Sequence, residues 1–400
     1  MIIQRPTYIN RVKPFIDKNI IKVFTGQRRV GKSCLLKQLS DIFRENNIDS
    51  NIIYISKEYD EFSFLRDNND LSAYVNEKLK DGVPNYLLID EIQDIKGFEH
   101  TLRSLQAQEK CDIYITGSNA NMLSSDLTTN LSGRYIEMMV SSLSYDEFLT
   151  FHKLRDDNEA LRKYMTFGGM PYLCNLPLEQ DIALEYLKSV SSTILLKDVV
   201  AREGIRNVDF LESLVSYVAN NVGSLFSANN ISRYLKSQNV PMTPLQVINY
   251  LKALQAAYII HKVDRIDIEG LKIFEIGSKY YFDDLGLRNV ATQLVIGNDI
   301  SKVMENCVFR HLINCGYKVF VGYLPKGEVD FVGLKGNDKI YVQVAYVIAD
   351  EQTRMREFGN LERISDNYPK YVVSLDEWSS NSNSNGIMHL HLRDFLKKTL

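Results

Sequence analysis

The sequence predicts an α/β chain. Its first third reads as a parallel sheet flanked by helices, and a helical stretch, a three-helix unit with a hairpin and a second α/β unit follow. Three observations carry this expectation. Short apolar runs alternate with helically spaced stretches up to about residue 145, a glycine-bearing loop joins the first run to the first helix, and the alternation returns only after residue 300.

Taken in order, residues 20–24 form a short apolar strand, and Lys32–Asn46 has helical spacing through Leu35, Leu36, Leu39 and Phe43. Further strands are expected at 51–55, 86–90, 112–116 and 135–140. Strands separated by helices imply right-handed crossovers and a parallel sheet. Buried parallel strands should be apolar on both faces, as Tyr86-Leu87-Leu88-Ile89 and Ile113-Tyr114-Ile115 are. Helices are expected at 145–151, 159–167 and 181–196, with a break at Gly168-Gly169-Met170-Pro171.

Three more helices follow at 208–222, 227–236 and 243–256. Ser227 or Asn229 is the expected cap of the second, Thr243 caps the third, and Pro244 opens it. Strands at 258–265 and 272–282 then flank a turn at 267–270, the element order of a winged helix. The last part reads as a helix (302–315), three strands (318–323, 328–334, 339–346), a helix (351–366) and a strand (371–375), with a Ser/Asn surface loop at 379–385. The expected divisions are 1–148, 149–206, 207–290 and 291–400.

Lys and Arg number 47 against 50 Asp and Glu, a formal net charge of -3, so global charge gives no sign of nucleic-acid binding. The five cysteines, Cys34, Cys111, Cys174, Cys307 and Cys315, are scattered without a CxxC pair, which argues against a disulfide framework and for a reducing, cytoplasmic compartment. The first ten residues lack the apolar core of a signal peptide, and no apolar run approaches the ~18 residues of a membrane span. No membrane partner is expected.

The chemistry concentrates near the start. Gly26, Gln27, Arg28, Arg29, Val30, Gly31, Lys32 and Ser33 complete the pattern GxxxxGK[ST], with a strand before and a helix after, and Cys34 continues the segment. Glycines let backbone N–H groups turn towards phosphates, and the helix N-terminus adds partial positive charge. Lys32 is expected to reach the β- and γ-phosphates of ATP, and Ser33 to help hold Mg²⁺. The strand ending at Asp90, followed by Glu91, supplies two carboxylates: Asp90 for the metal and Glu91 to orient water. Ser118 and Asn119, after the next strand, are both candidates to sense the γ-phosphate. Arg134 is either an arginine finger acting on a neighbouring subunit, which would make the protein a homo-oligomer, or a surface residue.

The motifs GQRRVGKS, LLIDEIQ, TGSNA, LSGRY, LSYDEFL and GGMPYL, in that order, resemble prokaryotic AAA-superfamily ATPases that carry a C-terminal domain of unknown function (number 4143). The resemblance implies a P-loop NTPase core of AAA type, a helical lid, a winged helix and a terminal domain like a restriction-endonuclease core. It also implies that residues 5–11 lie near the adenine, with Tyr8 or Ile9 as the contact.

A winged helix can set its third helix in a DNA major groove. Here that helix offers Gln246, Asn249 and Lys252, with Arg233, Lys236, Lys262 and Arg265 nearby. In the terminal domain, Glu305 and Asp330 match a nuclease core, whereas Gln343 stands for the second acid and Ala345 for the lysine that such Mg²⁺ chemistry needs. Lys326 and Lys335 are the lysines that could stand in. Nuclease activity is therefore not expected. The expected function is an Mg²⁺-dependent ATPase acting as a switch or motor, with DNA as a partner through the winged helix. The alternatives are a nucleic-acid-processing nuclease-ATPase and a signalling ATPase that docks a protein.

Overall fold

The computed structural model describes residues 3–46, 48–120, 131, 133–238, 240, 242–292, 299–348, 350–377 and 382–400. The chain divides into two compact units, 1–141 with 256–258, and 142–255 with 259–400. The expected division at 148 lies close to this one. Those expected at 206 and 290 fall inside the second unit.

The first unit is a five-stranded sheet built from β1 (Ile21–Thr25), β2 (Asn51–Ser56), β3 (Asn85–Asp90), β4 (Asp112–Gly117) and β5 (Tyr135–Met139). Its order is β2-β3-β4-β1-β5, and every pairing is parallel. Successive side chains of a strand point to opposite faces, so each strand feeds two cores. Ile21, Val23, Leu87, Ile89, Ile113 and Ile115 pack with Leu71 and Val75 of α3 (Asn68–Lys78) and Leu102 and Leu105 of α4 (Phe98–Ala107). Phe24, Tyr86, Leu88 and Tyr114 pack on the other face against α1 (Pro6–Val12) and Leu35, Leu36, Leu39 and Phe43 of α2 (Lys32–Asn46). The apolar spacing of α2 is thus its sheet-facing stripe.

The second unit opens with α5 (Tyr145–His152), α6 (Asn158–Phe167) and α7 (Gln180–Ile194), the last continuing in wider π turns over Leu195–Ala201. Ser144 starts α5 with a reciprocal capping box to Glu147. Next come α8 (Val208–Asn220), α9 (Ala228–Ser237) and α10 (Pro244–Ala256). Thr243 Oγ1 accepts from Gln246 N at 3.3 Å, as a cap should. Ser227 occupies the cap of α9 without a side-chain bond, and Asn229 lies inside the helix.

The hairpin β6 (Ile260–Asp267) and β7 (Ile273–Phe282) does not stand apart as a wing. β6 pairs in parallel with β8 (Lys318–Leu324), through Arg265↔Val321 to Asp267↔Tyr323. The hairpin is thereby the edge of an eight-stranded sheet of order β12-β13-β11-β10-β9-β8-β6-β7, completed by β9 (Gly327–Lys335), β10 (Asp338–Val344), β11 (Lys370–Ser374), β12 (Ser382–Ser384) and β13 (Ile387–His391). Residues 379–381 of the expected surface loop lie outside the described residues, and Ser382–Ser384 form β12 instead of loop. The remaining helices are α11 (Leu285–Ala291), α12 (Ile300–Asn314), α13 (Glu351–Glu362) and α14 (Leu392–Lys397). α11, which the periodicity does not reveal, touches α6, α7 and α8. Its Asn289 donates to the carbonyls of Met165 and Thr166 at 2.8 and 2.9 Å. No described helix is long and apolar enough to cross a membrane.

Candidate functional site

In a parallel sheet all strand C-termini meet one edge, where ligands of α/β proteins bind. Here β1 runs into Gly26, β3 ends at Asp90 with Glu91 next, and β4 runs into Ser118. The strand order sets β4 between the other two, so the residues at its end stand between the glycine loop and the acids.

The loop is held in an unusual backbone path. Gly26 has φ 138°, Arg29 φ 68° and Gly31 φ 100°. A Cβ on Gly26 would lie 2.0 Å from the carbonyl oxygen of Val140, so only glycine fits. Lys32 is buried at the first turn of α2. Its ammonium donates to the carbonyls of Gly26 and Gln27, both at 2.9 Å, and lies 3.8 Å from Glu91 Oε1. Both amide atoms of Gln27 are buried with no hydrogen-bond partner among the described residues. Arg28 reaches Glu58 at 3.5 Å, Arg29 and Cys34 are exposed, Val30 is buried, and Ser33 is half-buried.

The acids are closely supported. Thr116 Oγ1 donates to Asp90 Oδ1 at 2.7 Å and accepts the Glu91 backbone N–H at 2.9 Å. Ser56 Oγ donates to Asp90 Oδ2 at 3.3 Å. Glu91 sits in the left-handed region, φ 54° and ψ 52°, which a non-glycine residue adopts only where its surroundings impose it. Ser118 Oγ donates to Glu91 Oε2 at 2.8 Å, and Gln93 Nε2 donates to the same oxygen. Burial pushes the Glu91 carboxyl up, but the Lys32 ammonium, the Ser118 bond, Arg28 and Gln93 together hold it below its ordinary value. An ionised carboxylate that is already aimed can orient water. Asn119 is buried beside Ser118.

Each oxygen of Asp90 keeps lone-pair capacity beyond these bonds. Asp90 and the Ser33 hydroxyl are hard oxygen donors of the kind Mg²⁺ takes together with phosphate oxygens. The Lys32 ammonium and the N-terminus of α2 supply the matching anion site, so the residues present fit a nucleotide with Mg²⁺.

Tyr8 and Ile9 belong to the core between α1 and α2. The Tyr8 hydroxyl accepts from Ser141 N at 3.1 Å, and its ring lies 4.6 Å under the Arg5 guanidinium. Arg5, buried, donates to the carbonyls of Val30 (2.9 Å) and Ser141 (3.0 Å), which ties the N-terminal helix to the glycine loop. Arg134 is exposed just before β5, and its carbonyl accepts from Ile21 N, at the opposite end of β1 from the loop. At ~3.3 Å per strand residue the separation along β1 is about 16 Å. One chain therefore does not bring Arg134 to its own site. Thr116, Ser56, Gln93 and Arg5 are the supporting residues that sequence reasoning passes over. Thr116 and Gln93 lie in the motifs TGSNA and LLIDEIQ, where the sequence gives neither a role, and Ser56 lies in no motif.

An AAA domain family matches residues 18–149, and a domain of unknown function, DUF8612, matches residues 158–296. The latter lies upstream of the terminal α/β region to which the motif resemblance assigned its domain. A Haemophilus influenzae protein described as uncharacterized is 34% identical, and the match covers 99% of this chain and 98% of the relative. Among solved structures, the Aeropyrum pernix ORC1 protein in complex with DNA has TM-score 0.33 at 12% identity, covering 72% of this chain and 92% of that one. AMPPCP-bound DnaA from Aquifex aeolicus has TM-score 0.31 at 17% identity, covering 63% and 89%. The chain belongs to the AAA-domain family, with an AAA domain at 18–149 and a domain of unknown function behind it.

Proposed function

We propose that the first unit binds ATP with Mg²⁺ and hydrolyses it. The observation that carries this reading is the placement of Lys32 on the glycine loop 3.8 Å from a buried, left-handed Glu91. The loop amides of 26–33 and Lys32 hold the β- and γ-phosphates. Ser33 and Asp90 hold Mg²⁺, which offsets phosphate charge when bound. Glu91 orients the attacking water, and Ser118 fixes its second oxygen. Ser118 and Asn119 both remain candidates to sense the γ-phosphate. Arg134 acts on the site of a neighbouring copy, which makes the working form a homo-oligomer. Lys32→Ala should abolish nucleotide binding, whereas Glu91→Gln should bind ATP and lose turnover. Unchanged hydrolysis in Glu91→Gln would remove the role given to that residue.

The cycle then works as a switch or motor on a partner of the second unit. The outward face of α10 exposes Leu245 (67%) and Ile248 (40%) beside Gln246, Asn249 and Lys252. Lys262 is paired with Asp264 at 2.7 Å, and Arg265 lies over the rings of Phe274 and Tyr323. Two of the cations offered for DNA are therefore engaged within the unit, and this favours protein docking over phosphate contact. ATP turnover stimulated by duplex DNA, with the steep salt dependence of phosphate binding, would instead favour DNA.

A further inference from the structure

The resemblance to a restriction-endonuclease core implies a divalent metal among Glu305, Asp330 and Gln343. The side chains around these residues do not fit one. Lys279, on β7, reaches into the cluster from the hairpin. Its ammonium lies 2.7 Å from Glu328 Oε1 and 3.7 Å from Asp330 Oδ1, with Glu305 acting on it as a third acid. Neither lysine considered from the sequence is there: Lys326 is exposed, and Lys335 lies over the Tyr317 ring with its ammonium donating to the Leu400 carbonyl at 3.3 Å.

Each group that would ligate a metal also carries a hydrogen bond within the unit. Asp330 Oδ2 accepts from Val344 N at 2.9 Å, and Glu305 Oε2 accepts from the Tyr281 hydroxyl at 3.1 Å. The Gln343 amide oxygen accepts from Asp330 N at 3.3 Å, and its nitrogen donates to Glu357 Oε2 at 2.9 Å. Gln343 thus serves as a strap between β9, β10 and α13. The loop after α8 packs against the far side: a Cβ on Gly223, which has φ 77°, would lie 2.3 Å from Glu305 Oε2.

We infer that the Lys279 ammonium is the resident cation of this nuclease-like core and takes the place of a divalent metal, so the centre is a closed ion-pair hub joining the hairpin to the terminal α/β elements. The charges agree with this. Burial would pull the Lys279 ammonium down, but Asp330, Glu305 and Glu328 hold it above its ordinary value, so it stays charged. Burial, with the neighbouring carboxylates, pushes both Glu305 and Asp330 up. The inference is independent of ATP hydrolysis.

The test uses the full chain with Asp90→Asn, which weakens the Mg²⁺ site of the first unit, and counts bound Mn²⁺ by electron paramagnetic resonance without nucleotide. With Lys279 present, no saturable Mn²⁺ binding is expected up to millimolar concentration. Lys279→Ala should gain one site at least ten-fold tighter, and Lys279→Arg should not. Saturable Mn²⁺ binding by the Lys279 protein that is lost with Asp330→Asn would overturn the inference. So would a folded Lys279→Ala variant that binds no Mn²⁺. A second measurement does not depend on metal: Lys279→Met should lower the melting temperature more than Lys279→Met with Glu328→Gln, because the double change removes both charges of the pair. Strictly additive shifts would equally refute the hub.

Discussion

Replacing Thr116 by valine isolates the contact that joins the two acids. Valine keeps the shape of the side chain but sets a methyl where the hydroxyl was. Thr116 is fully buried, so water does not replace what is lost. The 2.7 Å bond to Asp90 is charge-assisted, worth about 1.5–3 kcal/mol. The Glu91 N–H, left without its 2.9 Å acceptor, costs a further ~1–3 kcal/mol. Asp90 keeps its 3.3 Å bond from Ser56, so part of the loss is recovered. A destabilisation of about 3 kcal/mol is expected, which for a unit of this size lowers the melting temperature by roughly 6–12 °C. The same N–H helps to hold Glu91 in its left-handed conformation, which costs of order 1–3 kcal/mol when unsupported. Released, Glu91 relaxes and its carboxylate leaves Ser118 and Lys32. Turnover of Mg²⁺-ATP should therefore fall at least ~10-fold, the equivalent of 1.4 kcal/mol in barrier, while Thr116→Ser stays near wild type. The assays are urea denaturation followed by circular dichroism, and phosphate release at saturating ATP. A Thr116→Val variant within ~0.5 kcal/mol of wild type and with unchanged turnover would refute the bridging role.

Gly26→Ala should abolish nucleotide binding, because the new methyl meets the Val140 carbonyl at 2.0 Å and must displace either the loop or the edge strand β5. Fluorescent-nucleotide titration checks this, and affinity within three-fold of wild type would contradict it. Burial holds the His311 imidazole down from its ordinary 6.5 to about 4, against a small upward pull from the Lys398 carbonyl 3.0 Å away. The group is neutral when folded, so its contribution is present above pH ~6.5 and is lost as pH falls through ~4, at most about 3 kcal/mol over that window. Stability curves of wild type and His311→Gln at several pH values should therefore diverge between pH 6.5 and 4, with the variant flatter. Parallel curves would argue that His311 is already charged in the folded state.

Much of the first unit is legible along the chain. β1, α2, β3 and β4 lie within a residue or two of where the apolar runs set them, because a parallel strand buried on both faces must be apolar throughout. The second unit is less legible. α11 carries little apolar periodicity because it is held by polar bonds, Asn289 to Met165 and Thr166, and Arg288 to the Ala219 carbonyl at 3.0 Å. The hairpin reads correctly as a hairpin, but its pairing with β8 depends on backbone bonds to a strand some fifty residues on, which no local pattern records.

The site divides along the same line. The glycine loop with Lys32, and the Asp90-Glu91 pair, are contiguous in sequence because each is a single turn at a strand end, so the sequence alone singled them out as the candidate site. The tertiary structure decided what supports that site and what fills the other acidic centre. Thr116 meets Asp90 only because β4 lies between β3 and β1. Arg5 meets the Val30 carbonyl only because α1 packs on α2. Lys279 meets Asp330 only because β7 belongs to the sheet of the terminal region. Periodicity reports which face of an element is buried; it carries no record of which element lies opposite, and there the polar partners are chosen.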